Sequence, residues 1–491
     1  MRAAGVLMHL TSLPSPHGIG TMGAAARDFV DFLAAAGQRY WQILPVCPTS
    51  YGDSPYQSFS TYAGNPYLID LDLLAADGLL EPGEYQNIDW ESPPDRVNYG
   101  ALYQKRWAVL RKACARLLAQ PPAAYREFCE KSAFWLPDYA LFMALKDAHG
   151  GRPWTDWEPA LRRRDPAALA EARRRYAADL DFWQGVQYLF FAQWHALKRY
   201  ANGKGIRIIG DLPIYVAADS VDVWSTPEAF QLDGDLRPTE VAGCPPDGFS
   251  ATGQLWGNPL YDWDAMAKDG YAWWVRRIRA LCATYDVLRI DHFRGFAGYY
   301  AIPFGQTDAR GGRWRQGPGI ALFRAVENAL GRPAILAEDL GFLTDDVRAL
   351  LRESGFPGMK VLEFGFDSRD GGDYLPHTYP RHCVVYTGTH DNEPVNGWFD
   401  TAPAADAARA VEYLRLTQAE GYHWGMMRSA WASVADLAIV QAQDLLGLGH
   451  ESRMNTPSTL GGNWCWRALP GAFTPALAAR LRRDMELYGR L

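Results

Sequence analysis

Short apolar runs alternate with amphipathic helical segments through the second half of the chain. The runs 334–340 and 359–366 are predicted to be buried strands. Between them, residues 344–354 place their apolar side chains on one helical face, with Thr344 at the N-cap position and Gly355 just past the end. A strand, a helix and another strand at this rhythm are typical of parallel βαβ units.

Six other runs have the same strand character, which brings the total to eight: 5–10, 40–46, 206–216, 287–293, 383–391 and 436–448. Eight parallel strands with intervening helices favour a (β/α)8 TIM barrel over an open sheet. We therefore predict an α/β fold in which residues 1–491 form a single catalytic (β/α)8 domain.

Two gaps between predicted strands are too long for one crossover. Residues 70–205 contain several helical stretches, and we predict an inserted, mainly helical subdomain between strands 2 and 3. Residues 217–275 are predicted to be a second, loop-rich subdomain between strands 3 and 4. The last residues read as a helix, so no C-terminal β-sandwich is expected.

Composition narrows the possible partners. The formal net charge of −7 argues against nucleic acid. No apolar run approaches the ~18 residues of a membrane span, and the first residues do not resemble a signal peptide. The seven cysteines are scattered without a C-x-x-C pair, which favours a reduced, cytoplasmic setting. We expect a monomer or a homodimer that does not bind membranes.

Aromatic residues are abundant, at 13% of the chain with 19 Trp and 25 Tyr. Many of these rings are expected in the core. A surplus also suits a groove that stacks sugars, because each ring offers an apolar face and Tyr and Trp add a polar edge.

Polar side chains stand at the predicted ends of four strands: Asp211 on the third, Asp291 and His292 on the fourth, Glu338 and Asp339 on the fifth, and His390, Asp391 and Asn392 on the seventh. One Asp after a strand is often only a helix N-cap. Four strand ends that converge on one rim of a barrel favour an active site, because barrel enzymes carry their chemistry there.

Paired carboxylates facing a sugar are the usual equipment for glycosidic bond chemistry. Arg289 lies two positions before Asp291, so both side chains point to the same face and the guanidinium favours an ionised Asp291. Glu338 follows the apolar run Ala-Ile-Leu-Ala, a setting that raises a carboxyl pKa and suits an acid. The alternative is a structural Arg289–Asp291 ion pair, and Arg294, beyond the strand, is left open between packing, loop anchoring and acceptor contact.

Two other patterns are weaker. Residues 18–23, GIGTMG, match G-x-G-x-x-G, but seven residues separate them from the preceding strand, so close packing or approach to a ligand is favoured over a nucleotide site. His377, His382 and His390 lie close in sequence, and a metal site there is a minority interpretation. We predict no metal and no cofactor.

Several longer strings carry a family resemblance: GDLPIYV, RIDHFRG, AEDLG and GTHDN, together with residues 50–72, 245–263 and 453–457. Together they resemble the 4-α-glucanotransferases called amylomaltase or disproportionating enzyme, in the α-amylase clan of (β/α)8 enzymes. The resemblance runs over nearly the whole chain. It implies a retaining transferase that moves α-1,4-glucan segments from malto-oligosaccharides or amylose to an acceptor glucan or glucose through a covalent glycosyl-aspartate.

The resemblance also implies individual roles. Asp291 is the implied nucleophile, Glu338 the general acid/base, and Asp391 the residue that holds the sugar hydroxyls. The implied substrate-binding residues are Arg289, which orders the nucleophile; His390, Asp211 and Tyr56 in the same subsite; Trp256, Gln254, His292 and Asn455 toward the acceptor; and Ser54 and Asp367 as further members.

The segment 240–259 fits a loop that covers the acceptor side and excludes water. It departs from the resemblance at Gly248, where family members usually carry Tyr, so chain-length and ring-size preferences are not inferred. Three alternatives remain at this point: an α-1,4-glucan hydrolase with the same carboxylates, a non-catalytic glucan-binding barrel, and a metal-dependent barrel hydrolase using Asp211, Asp291 and His390.

Overall fold

Eight parallel strands close into a barrel in the computed structural model, which describes residues 2–50, 52–246, 250–341, 343–368 and 372–491. The strands in chain order are β1 Ala3–Leu7, β2 Tyr40–Gln42, β3 Arg207–Leu212, β4 Glu240–Cys244, β5 Gln254–Pro259, β6 Val287–Ile290, β7 Gly298–Pro303, β8 Arg313–Gln316, β9 Ile335–Ala337, β10 Gly358–Val361, β11 Cys383–Tyr386 and β12 Leu437–Gln441. Around the barrel the order is β1-β12-β11-β10-β9-β6-β3-β2.

Each of the eight predicted strands contributes one strand to this barrel, which confirms the predicted fold class. The observed strands are shorter than predicted at their C-terminal ends. After β2, Pro45 and Pro48 have no N–H to donate to a ladder, and Pro213 follows β3 directly. The sequence stays apolar beyond the last paired residue of these strands because the loops that follow them are also buried.

Eighteen α-helices accompany the strands in the described part of the chain: α1 Ala24–Ala35, α2 Leu71–Ala76, α3 Tyr99–Ala119, α4 Ala123–Lys131, α5 Leu136–Ala148, α6 Pro159–Arg162, α7 Pro166–Arg175, α8 Ala177–Gly203, α9 Val221–Ser225, α10 Trp263–Lys268, α11 Ala272–Thr284, α12 Ile320–Leu330, α13 Asp345–Ser354, α14 Val395–Thr401, α15 Ala404–Leu414, α16 Tyr422–Ala432, α17 Ala442–Leu445 and α18 Pro475–Leu487. Helices α2 to α8 lie between β2 and β3. The division of 70–205 and 217–275 into subdomains stays a prediction.

A second, antiparallel sheet has the strand order β5-β4-β7-β8. The sequence did not indicate it. Strand β5 contains Gly257 and Pro259, which weaken a strand pattern, and β4 pairs with β7 although β5 and the barrel strand β6 lie between them in the chain. Its own small core is formed by Val241, Tyr300, Ile302 and Ala309. Pairing between strands so far apart in sequence is fixed by tertiary structure.

Two local predictions can be compared directly with the structure. Helix α13 begins after Thr344, whose side chain makes no capping bond, and ends at Gly355 in the left-handed region with φ 68°. In the 18–23 segment, a Cβ on Gly20 would lie 1.9 Å from the carbonyl oxygen of Leu10. The loop therefore needs glycine for close packing against the preceding turn.

One continuous apolar core joins the barrel interior to the surrounding helices. In the described residues, which include all seven cysteines, no disulfide is present. Also within the described residues, none of the helices has the length and apolar character needed to span a membrane.

Candidate active site

Four acidic side chains lie at the C-terminal rim of the barrel, as the strand pattern predicted. Asp211 is the penultimate residue of β3, Asp291 follows β6 directly, Glu338 follows β9 directly, and Asp391 lies five residues after β11. Strands β3 and β6 are neighbours whose register pairs Asp211 with Arg289. The closed barrel thus brings residues from four separate chain segments to one edge.

Arg289 bridges two of these carboxylates. Its Nη1 donates to Asp211 Oδ2 at 2.6 Å and to Asp291 Oδ1 at 2.9 Å. Burial alone would lower the pKa of Arg289, but the charges of Asp211 and Asp291 outweigh it and hold that pKa well above its usual range. The guanidinium is therefore a permanent cation that orients the Asp291 carboxylate, whose side chain remains 30% exposed to the cleft.

Tyr56 donates to the same Asp211 oxygen as Arg289 does. Its hydroxyl donates to Asp211 Oδ2 at 2.6 Å. Burial raises the pKa of Tyr56 well above its ordinary value, and the nearby Asp211 acts in the same direction, so the phenol stays a donor. The ring stacks on His390 with centroids 5.1 Å apart and an interplanar angle of 11°. Tyr56 thus joins the carboxylate cluster to an aromatic wall.

Glu338 is held by two backbone donors. His292 N–H donates to Oε2 at 2.6 Å, and Leu340 N–H donates to Oε1 at 2.8 Å. Burial raises the pKa of Glu338 to about 8, the Asp291 charge adds to this rise, and Arg289 with the two N–H groups opposes it. At neutral pH the carboxyl therefore carries a proton that it can donate, beside a carboxylate that is fixed by a guanidinium.

Asp391 lies in the loop after β11 and contacts two residues, His390 in the same loop and Asn455. Asn455 Nδ2 donates to Asp391 Oδ1 at 2.6 Å, and the ring of His390 lies 3.5 Å from the same oxygen. The Asp391 side chain is 45% exposed, which leaves its other oxygen open to a ligand in the cleft.

Trp256 and His292 form a second aromatic contact close to Glu338. Their rings meet edge to face with centroids 4.8 Å apart, and Trp256 Nε1 donates to Gln254 Oε1 at 3.0 Å. His292 has left-handed backbone geometry at φ 50°, a conformation that is uncommon for non-glycine residues. Burial lowers the pKa of His292 to about 4, so its imidazole is neutral at physiological pH.

The sequence model of 4-alpha-glucanotransferase matches residues 8–471 of the chain. The chain belongs to the 4-alpha-glucanotransferase family. This confirms the resemblance seen in the strand-end motifs and the transferase activity it implied. The findings do not favour the hydrolase or the non-catalytic barrel.

Individual relatives agree with this placement in the 4-alpha-glucanotransferase family. The chain is 49% identical to a 4-alpha-glucanotransferase of Thermus thermophilus, over 100% of this chain and 99% of the relative. It is 47% identical to a 4-alpha-glucanotransferase of Clostridium butyricum, over 98% and 100%. Its fold superposes on the amylomaltase from Streptococcus agalactiae in complex with acarbose with a TM-score of 0.97, at 44% identity and full coverage of both chains.

Most site residues implied by the 4-alpha-glucanotransferase resemblance lie in one connected cluster. Ser54 Oγ accepts from the backbone N–H of Tyr56 at 3.3 Å and so helps to fix the backbone of the loop that carries this ring. Asp367 follows the turn Glu363–Phe366 after β10, and its backbone N–H donates to the carbonyl oxygen of Phe364 at 3.3 Å. Gly248 lies outside the described residues.

Sequence reasoning missed Arg453, its partner Glu393, and His9, which contact residues of the glucanotransferase cluster. Arg453 donates from Nη2 to the backbone oxygen of Asp391 and from Nη1 to Glu393 Oε1, both at 2.6 Å. His9 and His390 line a cavity of about 10 Å³, large enough for about one water molecule. Arg453 lay in a recognised string, RMNTP, whereas His9 is separated from His390 by almost the whole chain and gave no local signal.

The histidines considered for a metal site are dispersed. His377 Nδ1 contacts Tyr413, and His382 Nε2 contacts the Gly355 carbonyl. Across the described ranges, no group of three or more His, Cys, Asp or Glu side chains is arranged to hold a metal ion.

Proposed function

We propose that this glucanotransferase works by a retaining double displacement with Asp291 as the nucleophile and Glu338 as the general acid/base. A carboxylate oxygen of Asp291 attacks the anomeric carbon of the donor glucan, and the glycosidic C–O bond breaks. The proton of Glu338 moves to the departing oxygen, so the leaving segment departs as a neutral alcohol. The observation that carries this proposal is the raised pKa of Glu338 beside the Arg289–Asp291 pair.

The second step reverses the roles. The ionised Glu338 takes the proton from a hydroxyl of the acceptor glucan, and that oxygen displaces Asp291 from the anomeric carbon. Two inversions give net retention of configuration. The loss of the Glu338 proton in the first step makes it the base required in the second, so one residue serves both.

We assign Asp391 to hydrogen bonds with the sugar hydroxyls beside the anomeric carbon. The Asn455 amide and the His390 ring fix one of its oxygens, while its exposed side chain leaves the other available. Interactions with ring hydroxyls that strengthen in the transition state supply part of the catalysis in glycosidases. Tyr56, stacked on His390, would form the apolar wall of the same subsite.

Transfer requires that an acceptor hydroxyl reach the intermediate before water does. Trp256 and His292 provide an aromatic surface next to Glu338, with Gln254 fixing the indole through its N–H. A sugar bound on this surface would present its hydroxyl to Glu338 and displace water from the cleft. We propose a cytoplasmic enzyme that acts on malto-oligosaccharides, amylose and glucose as a monomer or homodimer.

Incubation with maltotriose tests the reaction type. Transfer conserves the number of glycosidic bonds, so we expect a ladder of products with free glucose and a constant number of reducing ends. Hydrolysis raises the number of reducing ends, and such a rise without longer products would contradict the proposal.

The Asp291→Asn variant tests the mechanism in the same assay. We expect a loss of roughly 10⁴-fold or more, the scale seen when a nucleophile is removed, with the fold intact. Asp235→Asn is the matched control, because its side chain is 69% exposed and lies outside the cluster. Substantial turnover by Asp291→Asn would contradict the assignment of Asp291 as the nucleophile.

A further inference from the structure

A second cavity opens on the catalytic side of the barrel, outside the carboxylate cluster. It has a volume of about 670 Å³ and lies between the β7–β8 hairpin, the start of α12 and the helix α13. This is within the range of ligand pockets. We call it the Trp314 pocket, after the ring on one wall; its other lining residues used below are Arg294, Gln316, Asp346 and Glu353.

The aromatic wall of the Trp314 pocket is both exposed and fixed. Trp314 is 46% exposed. The guanidinium of Arg294 lies 4.2 Å from its ring centroid, and Tyr300 meets it edge to face at 5.3 Å. Arg294 and Tyr300 therefore hold the indole in one orientation while part of it faces solvent. A fixed, exposed indole is the usual platform for the apolar face of a sugar ring.

The rim of the Trp314 pocket carries hydrogen-bonding groups suited to hydroxyls. Gln316 lies two residues from Trp314 on the same strand and thus on the same face. Asp346 and Glu353 are seven residues apart on α13, about two helical turns, so they share a face. All three are exposed. The carboxylates of Asp346 and Glu353 can accept hydrogen bonds from the hydroxyls of a sugar.

The pocket adjoins the reacting groups through the chain itself. Arg294 is three residues after Asp291 in the loop that follows β6. Helix α13 begins seven residues after Glu338 in the loop that follows β9. Both loops therefore carry a catalytic carboxylate at one end and a wall of the pocket at the other. Because α13 starts on the side of the barrel where β9 ends, the pocket lies on the same side as the carboxylate cluster.

We propose that the Trp314 pocket binds a second segment of α-1,4-glucan and holds long chains while their reacting unit occupies the cleft. This rests on the proposed glucan transfer. A chain held at two points gains affinity because the second contact is intramolecular. Short substrates that fill only the cleft gain nothing from it. Arg294, on this proposal, positions the Trp314 ring and does not contact the acceptor at the reacting centre.

The Trp314→Ala variant should affect long substrates such as amylose but not short ones such as maltotriose. We expect an unchanged kcat/KM for maltotriose disproportionation and a KM for amylose raised by about 3- to 10-fold, the value of one aromatic stacking contact. Phe304→Ala is the matched control: that ring is 53% exposed, lies in the turn directly after β7 and does not line the pocket. It should leave both substrates unchanged.

Glu353→Gln provides a second variant, since it keeps the shape of an exposed side chain and removes one charge. We expect a smaller rise in KM for amylose and none for maltotriose. The pocket proposal would be overturned if Trp314→Ala lowered kcat/KM equally for maltotriose and amylose, or if it left the KM for amylose unchanged. Absence of maltotriose transfer in the unaltered enzyme would instead overturn the proposed function.

Discussion

Loss of the Glu338 proton should lower the stability of the folded protein as the pH rises. Burial and the Asp291 charge raise the pKa of this carboxyl from 4.5 to about 8. The folded protein therefore holds the proton more tightly than the unfolded chain. Stability from this group is fully present below pH 4.5 and is lost as the pH rises toward 8. Replacement by neutral Gln removes this loss.

The size of the effect follows from the shift. A pKa that rises from 4.5 in the unfolded chain to about 8 in the folded protein corresponds to a ceiling of about 5 kcal/mol in stability between low and high pH. The Glu338 side chain is partly open to the cleft, where water screens its charge, so we expect roughly half of that, about 2–3 kcal/mol. Glu338→Gln should thus become progressively more stable than the wild type between pH 5 and pH 8.

Thermal unfolding at half-unit pH steps from 5 to 9 measures this directly. The Tm of Glu338→Gln minus that of the wild type should increase with pH and level off above about 8. Glu327→Gln is the control. The Glu327 side chain is 49% exposed, so the Tm of this variant minus that of the wild type should stay nearly constant as the pH changes. If the Tm of Glu338→Gln minus that of the wild type stayed constant from pH 5 to pH 9, the inference that burial raises the pKa of Glu338 would be refuted.

Three further predictions address the rest of the cluster. Glu338→Gln, given an α-maltosyl fluoride that needs no acid for departure, should accumulate a covalent adduct on Asp291 visible by intact mass; no mass shift would contradict the acid/base role. Arg289→Ala should cost about 3–5 kcal/mol in thermal or denaturant unfolding, since it leaves two carboxylates without their cation, and an unchanged transition would contradict this. Tyr56→Phe should lower the free energy of unfolding by about 1–3 kcal/mol, because it removes a hydrogen-bond donor from buried Asp211, whose Oδ1 has no partner within the described residues. Wild-type stability of this variant would contradict a stabilising bond from Tyr56 to Asp211.

Local sequence rules predicted a large part of this site. Arg289 and Asp291 were expected to share a face because side chains two apart in a strand point the same way, and the structure places them 2.9 Å apart. The apolar run before Glu338 indicated burial, and the carboxyl pKa is raised accordingly. These inferences held because they depend on a few neighbouring residues.

Contacts between segments that are far apart in the sequence could not be predicted from local patterns. The bond from Tyr56 to Asp211 joins residues 155 positions apart, and the cavity beside His390 includes His9. Neither strand periodicity nor spacing encodes such a contact. Each depends on barrel closure and on the register between strands, which are set by all pairings together.

The sequence alone thus determined the eight barrel strands, the strand-end carboxylates and the resemblance that placed the chain in its family. Only the tertiary structure decided which loops meet at the rim, how Arg289 is shared by two carboxylates, and where β7 and β8 place Trp314 beside Arg294. The physical reason is the range of the forces involved. Strand pattern and side-chain direction are local properties of the backbone, whereas register, burial and the electrostatics of a closed site depend on the whole fold.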